Sequence, residues 1–375
     1  MPIYKTKKKN KEGLYQYRVT FNYTDKNGKY RQLMRLAYGA AEAKFLEAQL
    51  QAKATDNNVG RKTLTIRELY NIYIDAKRQE VRETSLNKSV SILERNILPF
   101  FESVKLDKLT LPLLQEWKND IAKLDLSIVT KKNMYKEFSA MLNFAVKMEF
   151  SGTNPLTKLG NFKDAYNFEK PEDKIQYYTV EEFKKFIEAA PKETASDYAY
   201  YTFFNIAFYT GMRKGEINAL RWSDINGSIL SVNRSVAQKI KGKDNIFTPP
   251  KNPSSQRKLQ IPKPLLKILK QQKRLQQQEY TKWNEDMLVC GGEIPLRDSS
   301  LSNKNIEFSK SAGVRTLRIH DFRHTHATLL INEGINAGEI ARRLGHSNVT
   351  TTLKVYAHLY PREEERALQV LNAIL

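Results

Sequence analysis

All five histidines of this chain, at positions 320, 324, 326, 346 and 358, fall in its last 56 residues. Three of them stand in one string, His320-Asp321-Phe322-Arg323-His324-Thr325-His326. A metal site is the first chemistry to test. On a helix His320 and His324 share a face, but His326 lies about 120° from His320 at about 100° per residue. No His-Glu-x-x-His and no Cys/His spacing accompanies them. The pattern therefore points away from metal ligation. His320 and Arg323 are only about 60° apart on the same wheel, and a guanidinium beside an imidazole suits a phosphate. Three more strings carry reactive types. Thr210-Gly211-Met212-Arg213-Lys214-Gly215-Glu216 sets an Arg after a glycine turn with a Glu one helical turn on. Leu344-Gly345-His346-Ser347 sets a His in a tight turn, and Tyr356-Ala357-His358 follows ten residues later. Taken singly, each is ordinary: a lone Arg after a turn is usually solvated, and one Tyr among 19 is usually structural.

The elements that must position these groups begin near Tyr178. Thr179 with Glu182 forms a capping-box pattern, and helices are expected at 180–190, 197–209 and 264–282. The apolar run Ala199–Tyr209 reads as a buried helix. Short strands are expected near 229–235, 245–248 and 257–261, with four or five helices in the last third of the chain. Upstream, residues 64–150 are helical in pattern. Thr65 and Glu68 make another capping box, and helices are expected at 84–97, 110–123 and 127–149. Met134, Phe138, Met141, Leu142 and Ala145 recur at helical spacing, which suits a core face. At the start, Tyr15, Tyr17, Val19, Phe21 and Tyr23 alternate with polar residues, a period-two strand. Asp25-Lys26-Asn27-Gly28 is a turn signal, with a return strand over 29–36. A helix over 40–54 follows, with Ala41, Phe45 and Ala48 on one side, backing the sheet. Polar stretches at 53–63 and 156–174 read as linkers. The expected organisation is multidomain: a small α+β domain (1–60), an all-α domain (61–160), and a mainly helical mixed α/β domain with a small antiparallel sheet (172–375).

Charge narrows the partner. The 375 residues carry 62 Lys/Arg against 41 Asp/Glu, a net charge of +21. That excess suits a polyanion, and nucleic acid is the commonest one. Residues 1–62 alone hold 14 Lys/Arg against five Asp/Glu, and Arg18, Lys29, Arg31 and Arg35 are read as one basic outer face of the sheet, fit for a DNA groove. Neither a lipidation motif nor a basic amphipathic helix with a Trp/Phe face supports a membrane surface instead. The single Cys290 excludes an intramolecular disulfide and a multi-thiolate zinc site. The first residues lack the apolar core of a signal peptide, and no run approaches the ~20 apolar residues of a membrane span. A soluble, cytoplasmic protein is expected.

Together the strings cease to be ordinary. The ordered set Thr-Gly-Met-Arg-x-x-Glu, His-x-x-Arg-His, Leu-Gly-His and Tyr resembles the tyrosine recombinase family, the integrases of temperate phages and conjugative transposons. The resemblance spans 178–375. The helical segment at 64–150 looks like the family's core-site binding domain, and the basic start looks like the arm-site binding domain of longer integrases. The resemblance implies a catalytic set of Arg213, Lys251, His320, Arg323, His346 and the nucleophile Tyr356, with Glu216 supporting. The lysine is the loosest match. Residues 234–274 hold 12 Lys/Arg and only Asp244, so several lysines compete. Lys251 fits best because it precedes Ser-Ser-x-Arg and a strand, although Asn252-Pro253 departs from the more permissive residues of many relatives. In the implied reaction Arg213 and Arg323 hold phosphate oxygens. Tyr356 forms a 3′-phosphotyrosine, and Lys251 protonates the departing 5′-oxygen. His320 and His346 bond the phosphate, and His320 is a candidate acceptor for the tyrosine proton. No metal or cofactor is implied. The partners implied are double-stranded DNA at core and arm sites, sister protomers in a tetrameric synapse, and a directionality factor, in a bacterial cytoplasm at the nucleoid. The final segment, Glu363–Leu375, reads as a helix with Ala367, Val370, Leu371, Ile374 and Leu375 on one face, packing on its own domain or on a neighbour. A type IB topoisomerase uses a similar constellation, and a non-catalytic DNA-binding regulator on the same fold is the reading from another class. The complete residue set argues against the latter.

Overall fold

The computed structural model describes residues 3–10, 13–24, 30–55, 64–164, 175–238, 245–250, 253–359 and 371–372. Contacts divide the chain into two units, Met1–Glu169 and Lys170–Leu375. No helix among the described residues is long and apolar enough to cross a membrane.

The period-two stretch forms β2 (Tyr15–Thr24), paired antiparallel with β3 (Tyr30–Tyr38). A further strand, β1 (Ile3–Lys9), joins the other edge of β2. Its sequence, Ile-Tyr-Lys-Thr-Lys-Lys-Lys, has no alternation to announce it. The pairing instead sets Lys5 Nζ 3.7 Å and Lys9 Nζ 4.5 Å from the Tyr15 ring centroid, where the ring quadrupole attracts cations. Helix α1 (Ala40–Thr55) covers one face, and it extends into the segment expected as a linker from residue 53. Its inward residues are Ala43 and Leu46, packed with Val19, Ala37 and Tyr17. Ala41 is exposed and Phe45 is 64% exposed, so the side they share is not the side that packs on the sheet. The Ala48 side chain lies outside the described residues.

Register also corrects the basic face. Arg18 stands opposite Leu36, whereas Arg35 stands opposite Val19. Directly opposed residues share a face. Arg35 is therefore on the face that α1 covers, although its side chain stays exposed, and Arg18 is on the uncovered face beside Leu36 and Met34. Two strands read separately carry no information on how they are phased. Arg31 takes the rung opposite Tyr23, and Lys29 lies outside the described residues.

The second part of this unit is helical: α2 (Ile66–Glu80), α3 (Glu83–Asn96), α4 (Leu98–Phe101), α5 (Leu111–Lys123) and α6 (Ile128–Lys147). The Thr65–Glu68 capping box starts α2 in both of its reciprocal bonds. Met134, Phe138, Met141, Leu142 and Ala145 are all buried, and Phe101, Trp117 and Phe138 pack with ring centroids 5.3–6.2 Å apart. The first residues of the expected 156–174 linker belong to this core. Leu156 is fully buried in a 3-10 turn over Pro155–Leu159, Phe162 is buried, and Lys118 Nζ donates to the carbonyls of Leu159 and Gly160.

In the second unit α7 (Val180–Glu188) starts at the Thr179–Glu182 capping box. Helix α8 (Ala195–Thr210) is the buried helix expected, with Phe203, Phe204 and Ile206 inaccessible. Then come α9 (Lys214–Asn218), β4 (Ile225–Asn226), β5 (Ile229–Val232), β6 (Ser235–Ala237), β7 (Ile246–Thr248), β8 (Arg257–Gln260) and α10 (Lys263–Glu279). The strands form two antiparallel sheets, β4-β5-β8 and β6-β7. The single strand expected over 229–235 is thus two strands in two sheets. Asp224 takes bonds from Asn233 Nδ2 at 2.9 Å and Arg234 Nη1 at 3.0 Å, which turns the chain between them. Helices α11 (Asp298–Ser311), α12 (Asp321–Asn332), α13 (Ala337–Leu344) and α14 (Val349–Tyr356) complete the unit. Helices α10 and α12 pack on α8. A separate small core of Ala327, Ile331, Ile340, Leu344 and Tyr356 joins α12, α13 and α14. Of the expected Glu363–Leu375 helix, only Leu371 and Asn372 are described, both helical.

Candidate active site

Helix α8 ends because Gly211 takes the left-handed region, φ 63°, which costs glycine nothing. Its neighbours leave no room for a side chain: a Cβ there would sit 2.7 Å from both His326 Cδ2 and Leu344 Cδ2. The chain then restarts as α9 with Arg213 as its cap. The Glu216 carboxylate accepts from the Arg213 backbone N–H at 3.0 Å and from Arg213 Nη1 at 2.8 Å. So the i, i+3 spacing seen in the sequence locks Arg213 by both its main chain and its guanidinium. Glu216 is 4% exposed and also meets Arg257 Nη2 at 2.9 Å. Burial alone would raise its carboxyl, but the Arg257 guanidinium outweighs burial, Arg213 adds to it, and the carboxyl is held below its usual range.

Arg323, on the first turn of α12, is 4% exposed. It donates Nη1 to the Gly211 carbonyl and Nη2 to the Leu344 carbonyl, both at 2.7 Å. Burial, and then the nearby Arg213, press against its charge, and Glu216 opposes them only in part, so the guanidinium's pKa is lowered. Two of its five N–H groups are committed in these bonds. His346, just past the left-handed Gly345 that ends α13, is held through Nδ1 by Thr352 Oγ1 at 2.8 Å. Thr352 is fully buried. That bond fixes the orientation of the ring. Burial, then Arg323 and Arg213, bring His346 down to about 4. His320 caps α12, exposed, with its ring edge-on to His324 at a centroid distance of 5.2 Å. Its value is lowered, first by burial and then by Arg323.

Tyr356 closes α14 and is 1% exposed. Its hydroxyl is bonded not to His320 but to His324 Nδ1, at 2.6 Å. Burial pushes the phenol up to about 12, against the pull of Arg323. Burial, then His320, brings His324 down to about 4, so the imidazole is neutral at pH 7. His326 points elsewhere: its Nδ1–H donates to the Phe208 carbonyl at 2.8 Å, behind Gly211. The three histidines of the string therefore take three different tasks.

Arg213, Glu216, Arg323, His346 and Tyr356 are thus brought together around the last turn of α13, and His320 joins them through His324. Lys251 lies outside the described residues; its flanks are β7 on one side and a 3-10 turn over Pro253–Ser255 leading into β8 on the other. Lys258, its competitor, is an exposed residue of β8. Sequence reasoning missed His324, Arg257 and Thr352. The i, i+4 relation of His320 and His324 was a signal for the first. Arg257 stood in the Ser-Ser-x-Arg string, but its partners Glu216 and Arg343 lie 41 and 86 positions away; Thr352 stands six residues past His346, with no pattern to link the two.

Two family models match the chain: Phage integrase family over residues 176–363, and Phage integrase, N-terminal SAM-like domain over residues 65–122. The chain is 27% identical to the ICEBs1 integrase of Bacillus subtilis (strain 168), over 98% of this chain and 99% of that one. It is 28% identical to a XerC-like tyrosine recombinase of Caldanaerobacter subterraneus subsp. tengcongensis, over 96% of this chain and 97% of that one. Among solved structures it is similar to the Tn1549 transposon integrase in complex with transposon right end DNA (TM-score 0.63, 20% identity, 83% of this chain and 99% of that one). It is also similar to a lambda integrase tetramer bound to a Holliday junction (TM-score 0.55, 17% identity, 92% and 96%). The match over 176–363 covers the arginine cluster and the tyrosine together, and the chain belongs to the phage integrase family, the tyrosine-type site-specific DNA recombinases.

Proposed function

We propose that this recombinase integrates and excises a mobile element or prophage by cutting and rejoining DNA through a 3′-phosphotyrosyl intermediate. The observation that carries the reading is the convergence of Tyr356, Arg213, Arg323 and His346 on one turn, with the tyrosine hydroxyl bonded to a neutral imidazole. In the proposed step Tyr356 Oη attacks phosphorus and gives its proton to His324, whose 2.6 Å contact favours it over His320. The P–O5′ bond breaks, and the 5′-oxygen takes a proton from Lys251. Arg213, Arg323, His320 and His346 bear the charge that builds on the non-bridging oxygens. The two guanidiniums do what divalent ions do in metal nucleases, and the histidines add hydrogen bonds, so neither metal nor cofactor is assigned. The covalent bond keeps the phosphodiester energy, and a second attack by a 5′-hydroxyl rejoins the strand. At 1% exposure Tyr356 has no path to a phosphate, so the reaction requires α14 to shift on the DNA-bound protein.

The proposed division of labour is 1–60 for arm sites, 61–160 for core sites and 172–375 for catalysis. Four protomers form the synapse, a directionality factor sets the outcome, and the work is done in the bacterial cytoplasm at the nucleoid. Near full-length similarity to an integrase, basic start included, favours integration over simple strand relaxation. The test is a nicked suicide duplex cut from the DNA that flanks the coding region, in excess EDTA. Wild type becomes attached to the 3′ end, and Tyr356→Phe binds the duplex but stays free, because phosphate contacts dominate affinity. Tyr360→Phe is the control. Attachment by Tyr356→Phe, or a requirement for a divalent ion, rejects the mechanism.

A further inference from the structure

The C-terminal turn of α13 is capped three times over. Its carbonyls at Arg343, Leu344 and Gly345 are met by three arginines from three other segments. Arg257 Nε donates to Arg343 O at 2.6 Å, Arg323 Nη2 to Leu344 O at 2.7 Å, and Arg213 Nη2 makes a long 3.5 Å contact with Gly345 O. The end of a helix carries orphan carbonyls and partial negative charge, so it gathers cations that would otherwise repel one another. Two of the three guanidiniums are read above as phosphate ligands. Arg257 differs. Its side chain is 5% exposed, and every one of its nitrogens is engaged inside the protein: Nε as above, Nη1 with Ser255 O at 3.1 Å, Nη2 with Glu216 Oε2 at 2.9 Å. It also lies against Gly345, where an added Cβ would meet its Nη1 at 3.0 Å.

We propose that Arg257 is a positioning residue for the recombination reaction: it ties the Glu216 carboxylate to the Arg343 carbonyl and so sets the Arg213 guanidinium and the His346 turn in one register. The inference rests on the reading of Arg213 and His346 as phosphate ligands. Arg257 touches no substrate. One of its arms fixes Glu216, which holds Arg213 by main chain and side chain; another fixes the carbonyl three residues before His346. It is also the first residue of β8, two residues past the 3-10 turn over Pro253–Ser255.

The test uses full-length protein and the same suicide duplex. Arg257→Lys keeps a cation against Glu216 but loses the three-way fork. It should bind the duplex within about twofold of wild type and form the covalent adduct on the order of 10²-fold more slowly, the cost of a misplaced catalytic group. Combined with Arg213→Ala it should be no slower than Arg213→Ala alone, since one residue acts through the other. A duplex with a neutral methylphosphonate at the cut phosphate needs less charge stabilisation, and it should narrow the gap between Arg257→Lys and wild type at least tenfold. A wild-type rate for Arg257→Lys, additive defects, or loss of DNA binding in step with rate each overturn the proposal. If Arg257→Lys does not fold, Arg257→Met with Glu216→Gln, which removes the buried charge imbalance, serves in the same comparisons; failure of both to fold makes Arg257 scaffold and overturns it too. Should Arg213→Ala itself cleave normally, the reading of the site fails, and that is a different result from failure of Arg257 alone.

Discussion

Gly211→Ala attacks the site at the point where three of its parts meet, and the structure sets the size of the loss. The residue sits at φ 63°, where an L side chain costs roughly 1–2 kcal/mol. The new methyl would lie 2.7 Å from His326 Cδ2 and from Leu344 Cδ2. Both belong to buried side chains, and overpacking of this kind costs about 1–3 kcal/mol. The sum is a destabilisation of about 2–5 kcal/mol. The backbone cannot yield freely to relieve it, because the Gly211 carbonyl is one of the two acceptors that hold Arg323. Urea unfolding followed by tryptophan fluorescence measures this, since Trp222 and Trp283 both lie in the catalytic unit. The two contributions separate in part. Gly211→Ala with Leu344→Ala removes one of the two clashes, so relative to Leu344→Ala alone its cost should fall, while the His326 contact and the backbone share of about 1–2 kcal/mol remain. A Gly211→Ala loss below about 1 kcal/mol would refute the argument, as would a cost that Leu344→Ala leaves unchanged.

Three further outcomes are expected. Acid should weaken the protein through His326, which burial brings down to about 3. As pH falls below about 6.5 the unfolded chain takes up a proton that the native chain refuses, so stability present above that pH is lost at up to about 1.4 kcal/mol per pH unit; unfolding titrations of His326→Gln between pH 6 and 5 should have a correspondingly smaller slope, and an equal slope rejects the assignment. Lys251→Ala should be impaired by about 10²–10⁴-fold on normal DNA yet recover on DNA with sulfur at the bridging 5′ position, since a thiolate leaves without a proton; rescue of Lys258→Ala or Lys243→Ala instead would move the general acid to that lysine. Removal of residues 1–60 should spare cleavage of a short core duplex and abolish recombination between full attachment sites, and a truncated protein that recombines normally would leave the basic sheet without its assigned task.

What the sequence determined by itself is local. The capping boxes at Thr65 and Thr179, the Arg213–Glu216 spacing and the buried run of α8 depend on hydrogen bonds and periodicities within a few residues, and they were legible there. The reactive types and their order were legible too, which is why the Arg, His-x-x-Arg, His and Tyr strings could be read as one set. Tertiary packing decided the rest. Arg213 meets Gly345 across 132 positions and Arg323 meets Gly211 across 112, and nothing in either neighbourhood encodes those meetings. The helical wheel put His320 and His324 on one face but could not say which of them receives Tyr356; the shared core of α12, α13 and α14 does. Alternation set the faces of β2 and β3 separately, and only their register sent Arg18 and Arg35 to opposite sides. Arg257, ordinary in its own segment, became a junction because a helix end from 86 residues away stops beside it. Side-chain chemistry is written residue by residue, whereas the distances that put it to use are fixed by which apolar faces bury one another.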